Sequence, residues 1–61
     1  MRLYELLKVI NHETEIFLWD TQFNNLGKYD VTEEIDETHY GKEVIEVSPI
    51  SDSAISVIVR W

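Results

Sequence analysis

The last eight residues of the chain, AISVIVRW (54–61), alternate with a period of two. Ile55, Val57, Val59 and Trp61 fall on one side, and Ala54, Ser56, Ile58 and Arg60 on the other. Strict alternation identifies a β-strand. Upstream, SPISDS (48–53) gathers the turn formers Pro49, Ser51, Asp52 and Ser53. Before these, a second strand is predicted over about residues 43–48, with Ile45 and Val47 on one face and Val44 and Glu46 on the other. The two strands predict an antiparallel hairpin closed by a loop of about five residues. The parity of Trp61 with Ile55, Val57 and Val59 predicts an indole clamped onto the core.

TEIFLWD (14–20) gives another strand, apolar on both sides: Ile16 and Leu18 face one way, Phe17 and Trp19 the other. Such a strand is central in its sheet, or its second face is covered. Asn24-Asn25 predicts a tight turn, because Asn accepts positive φ, and leads into a weaker strand over Leu26–Asp30. At the N-terminus, Leu3, Leu6, Leu7 and Ile10 recur at i, i+3, i+4 and i+7, the stripe of an amphipathic helix over residues 2–10 that Asn11 and His12 end. A helix this short persists only when packed on something. The pattern predicts an α+β fold of one small domain, 1–61. Its N-terminal helix lies on a three- or four-stranded antiparallel sheet, against Ile16, Leu18, Ile45, Val47, Val57 and Val59. A short acidic helix is inserted before the C-terminal hairpin.

That acidic helix is predicted over residues 31–39. Asp30 can N-cap it with Glu33 three residues on, and Gly41 suits the position past its end. Val31 and Ile35 turn inward, while Glu33, Glu34 and Glu37 project outward.

Composition narrows the function. Hydrophobic residues make up 44% of the chain and aromatics 11%, which favours a folded domain over disorder. Cysteine is absent, so neither a disulfide nor a thiolate metal site is available, which fits a reducing compartment. The N-terminal segment lacks the features of a secretory signal, and no apolar run approaches the ~20 residues of a membrane span. The expected location is the cytoplasm. Twelve acidic against five basic side chains give a formal charge of −7. This argues against direct contact with nucleic acid or anionic membrane, where phosphates require Lys and Arg, and permits a basic protein partner.

Catalytic constellations are not evident. The serines lie outside any nucleophile-elbow context, and Gly27 and Gly41 form no phosphate loop. His39 and Glu43 have ligand spacing, with Asp36 three residues before His39, but Gly41 interrupts the helix between them. Glu33 and Glu37 lack the alternating pattern of a calcium loop. A non-enzymatic protein without metal or cofactor is expected.

Two surfaces remain as binding candidates. Phe17 and Trp19 point away from the helix-covered face. Either residues 23–41 fold over them as a second small core, which is the expectation because exposed apolar patches are rare on monomers, or they form an aromatic contact surface for a partner or a second copy. The other candidate is the run Asp30, Glu33, Glu34, Asp36 and Glu37. On a helix, carboxylates at i, i+3 and i+4 stand about 5–6 Å apart at Cβ, and longer side chains splay toward the spacing of backbone phosphates. Such a run is either a solvated face or a mimic of nucleic-acid phosphate.

LYELLKVI, then TEIFLWD, an acidic middle and a closing hairpin resemble the very short acidic proteins of phages and mobile elements of Gram-positive bacteria. The resemblance spans most of the chain and implies a context without assigning residue roles. In that context, small acidic proteins include anti-restriction and anti-CRISPR inhibitors of host defence nucleases, some of them DNA mimics. The implied role is an inhibitor that occupies the basic groove of a nucleic-acid-binding protein. The alternative is a non-inhibitory accessory module, a homodimer on the aromatic face included.

Overall fold

A computed structural model describes residues 1–11, 13–30 and 34–61. It contains helix α1 (Leu3–Val9), strands β1 (Glu15–Asp20) and β2 (Asn25–Tyr29), the 3-10 turn η1 (Glu37–His39), and strands β3 (Glu43–Ser51) and β4 (Ala54–Arg60). The strands form one sheet in the order β2-β1-β4-β3. Two antiparallel hairpins, β1–β2 and β3–β4, join through a parallel pairing of β1 with β4. The sheet is therefore mixed, and the expected all-antiparallel arrangement is corrected. Side-chain alternation marks a strand but carries no record of which neighbour it takes.

Helix α1 forms where the leucine stripe places it. Leu3 and Leu6 are buried, and Leu7 and Ile10 pack against the same core as Ile16, Leu18, Val57 and Val59. Its first turn has orphan N–H groups to satisfy. The carbonyls of Lys42 and Tyr40 accept from Leu3 and Tyr4 (2.8 and 3.1 Å), and the Glu5 carboxylate accepts from the Arg2 N–H (2.8 Å). The helix ends at Val9 with an extended Ile10, whose N–H donates to the Leu6 carbonyl, and beyond it the Asn11 side chain accepts from the Glu13 N–H. Positive φ does not occur at Asn11, and His12 lies outside the described residues.

Strand β3 departs most from expectation. Bulges fall between Val44 and Glu46 and between Pro49 and Ser51. The first takes Ile45 out of the alternation: Val44 pairs with the buried Val59 and packs on the core, while Ile45 is exposed. Val47 opposes the buried Val57, on the expected face, but stays exposed on the edge strand. β3 also runs through Pro49 to Ser51, so the hairpin closes on Asp52-Ser53 instead of a five-residue loop. Pro49 is tolerated because β3 is an edge strand. Trp61 does not clamp the core. It is 79% exposed, and the Lys42 ammonium sits 4.8 Å from its ring centre.

The β1–β2 turn is built around Asp20, not Asn24-Asn25. The Asp20 carboxylate accepts from the Gln22 and Asn24 N–H groups and from the Asn24 carboxamide (2.8, 2.9 and 3.0 Å). Led by the Asn24 bonds, these hold its carboxyl below the ordinary 3.8. The positive φ falls on Phe23, at 60°.

The predicted acidic helix is not formed over its described part. Residues 34–36 are irregular, and only Glu37–His39 turns, as a 3-10 segment capped by the Asp36 carboxylate on the Thr38 N–H (2.9 Å). Gly41 has no positive φ. The start of the predicted helix, Val31 and Glu33 included, lies outside the described residues. The inward turn of Ile35 does occur, into the core cluster. Local acids favour a helix, but this stretch also links the two edge strands β2 and β3 and drops Ile35 between them, so tertiary demand overrides propensity. No described helix is long and apolar enough to cross a membrane.

Candidate functional site

Pairing assigns each side chain to a face of the sheet, because directly opposed residues share one. Phe17 pairs with Lys28 and Ser56, and Trp19 with Ile58. Ser48 opposes Ser56 and Glu46 opposes Ile58. All of these lie on the face opposite α1. Helix α1 covers the other face, and Leu26, Tyr29, Ile35 and Tyr40 pack against that same core. Among the described residues, the middle segment therefore does not cover Phe17 and Trp19 with a second core. Both rings are half-buried and line an open trough of about 400 Å³ with Phe23, Ile50, Ser56 and Ile58.

The sequence reading missed Phe23 and Ile50. Phe23 is 72% exposed, and its left-handed backbone strains a bulky residue. Its signal was an isolated phenylalanine within the turn formers of TQFNN. Ile50 sits at the second β3 bulge and is exposed. A bulge re-aims a side chain, which period-two counting cannot anticipate.

Charge on this face is nearly balanced. Lys28 pairs with Glu15 (3.2 Å) and lies 5.4 Å from the centre of the Phe17 ring. Arg60 pairs with Glu43 (3.5 Å), and Glu46 stands beside them. The chain as a whole carries −7, so most of the negative charge lies elsewhere.

Part of it lies in the acidic segment, on the helix-covered side. Glu34, Asp36 and Glu37 are exposed, and Thr38 hydrogen bonds hold the Asp36 carboxyl below its ordinary value. Asp30 and Glu34 line the mouth of a cleft of about 300 Å³ whose walls include Leu7, Ile10, Tyr29 and Tyr40. Glu33 lies outside the described residues. Asp30 and Glu34 are thus brought to one cleft, but the carboxylates do not share an α-helical face over the described part.

A partly buried polar pair lies just before β3. The Lys42 ammonium donates to His39 Nδ1 (2.9 Å), which places the ring proton on Nε2. Burial, then the Lys42 charge, holds the imidazole below its ordinary 6.5 against the opposing pull of Asp36. Among the described residues, no three His, Asp or Glu side chains gather as a metal-binding group. No protein-family model, curated protein or solved structure matches the chain.

Proposed function

We propose that this protein is a small non-catalytic interaction module whose contact surface is the aromatic face of its sheet. The observation that carries this reading is the open trough: Phe17, Trp19 and Ile58 line it from two central strands, with the strained Phe23 at its rim. Rigid aromatic anchors with balanced charge are the composition of a protein contact.

A second reading rests on the exposed Glu34, Asp36 and Glu37. They lie on the opposite side of the sheet, so a basic partner, such as the nucleic-acid groove of a phage host's defence nuclease, would engage a separate surface in the cytoplasm. Irregular backbone over residues 34–36 gives these carboxylates less fixed spacing than a helix would.

The two readings separate in a capture experiment with immobilised wild type, Trp19→Ser, and a Glu34→Lys/Asp36→Lys/Glu37→Lys variant. A partner that persists at about 0.5 M salt and disappears with Trp19→Ser supports the aromatic face. One that elutes with salt and is lost with the charge reversal, but kept by Trp19→Ser, supports the acidic segment and refutes the first reading.

A further inference from the structure

We infer that the occupant of the aromatic face is a second copy of this chain, seated by a two-fold axis that runs parallel to the strands. The inference rests on the reading of this face as the contact surface and names its partner.

The sheet has two apolar faces and one covering helix. A sheet buries each apolar face against another layer, and a chain of 61 residues has little core to spare. Two copies placed face to face give helix, sheet, sheet, helix, and each supplies the other's missing layer.

The relief of the face fits itself. Strand β1 carries the ridge, Phe17 and Trp19. Beside it β4 carries the smaller Ser56 and Ile58, and beyond lies Ser48 on β3. A two-fold axis along the strands sets β1 of one copy over β4 of the other, ridge into trough, in the aligned packing of sandwiches. An axis across the strands would set ridge on ridge.

Charge agrees with the same axis. Lys28 lies on edge strand β2, at the level of Phe17 and Ser48. Glu46 lies on the opposite edge strand β3, at the next level. Exchange of the edges brings Lys28 of each copy toward Glu46 of the other. A strongly basic partner finds a surplus of only one carboxylate here, Glu46, because Glu15 and Glu43 already have cations.

The β3 edge is a poor competitor for self-association. The start of β3 is covered by the Met1–Leu3 segment: Val44 donates to the Met1 carbonyl and Leu3 to the Lys42 carbonyl. The rest of β3 carries two bulges and Pro49, features that blunt edge pairing.

The area available is small. Four strands spaced ~4.8 Å apart and ~20 Å long offer on the order of 400 Å², half the ~800 Å² per partner of a standard interface. The dimer is therefore expected at the weak, reversible end of protein interfaces.

Sedimentation equilibrium of the whole chain, from about 1 µM to about 1 mM, tests this. Expected is a reversible monomer–dimer equilibrium that Lys28→Glu or Glu46→Lys each weakens about tenfold, since each turns two attractive pairs into repulsive ones. An equimolar mixture of the two variants restores wild-type affinity, because every cross-pair is again of opposite sign. Phe23→Gly weakens the dimer without unfolding the monomer. A monomer throughout the range overturns the second copy as occupant, as does a dimer that none of these substitutions alters. Either result leaves the contact-face reading to the capture experiment, where loss of a foreign partner with Trp19→Ser would uphold it.

Discussion

Phe23 holds a left-handed backbone that costs a non-glycine residue about 1–3 kcal/mol, and it recovers little by burial in the monomer. Phe23→Gly should therefore stabilise dilute protein. After the extra unfolded-state freedom of glycine is deducted, the gain is about 0.5–1 kcal/mol, or roughly 4 °C in thermal melting for a domain of this size. No gain would mean that Phe23 already packs usefully within one chain. His39 supplies a pH dependence. Its folded-state value lies below 6.5, so an unfolded chain takes up a proton that the folded chain declines. The stability is fully present above 6.5 and is lost as pH falls from there through the lower folded value. Melting at pH 7.5 and 5.5 should show this loss in the wild type and a smaller one in His39→Gln. Neither role was legible from sequence, because strain and burial belong to the fold.

At the scale of elements, those with a regular period were the legible ones. Helix α1 and all four strands stand where the apolar pattern puts them, within a residue or two except at the end of β3. Within the strands, the failures fall at bulges. One displaced Ile45 in favour of Val44, and another turned Ile50 toward the trough. Strand β2 is irregular as well, with a shift between Leu18 and Trp19 of its partner and Gly27 at φ 132°. Gly27 also accommodates the Tyr29 ring, which reaches back to hydrogen-bond the Leu26 carbonyl (3.0 Å). A Cβ on Gly27 would stand 2.5 Å from the Tyr29 hydroxyl oxygen. Gly27→Ala should accordingly cost about 1–3 kcal/mol, measured by urea denaturation, with part recovered in a Gly27→Ala/Tyr29→Leu double variant. A neutral Gly27→Ala would show that β2 adjusts freely.

For the molecule as a whole, charge works against compactness. At −7 the folded chain repels itself, and its ion pairs Lys28–Glu15 and Arg60–Glu43 are too exposed to offset much. Moderate salt should raise the melting temperature, whereas a fold held by surface ion pairs would lose stability. If the aromatic face joins two copies, melting should also rise with protein concentration. The sequence by itself determined the helix stripe, the strands and the acidic balance, because periodicity and charge are properties of neighbouring residues. Only the tertiary structure decided that β1 lies parallel to β4, that the middle segment packs on the helix side and that Phe17 and Trp19 line an open face. Those outcomes depend on which distant segments meet, and so on how one short chain divides too little covering structure between two apolar faces.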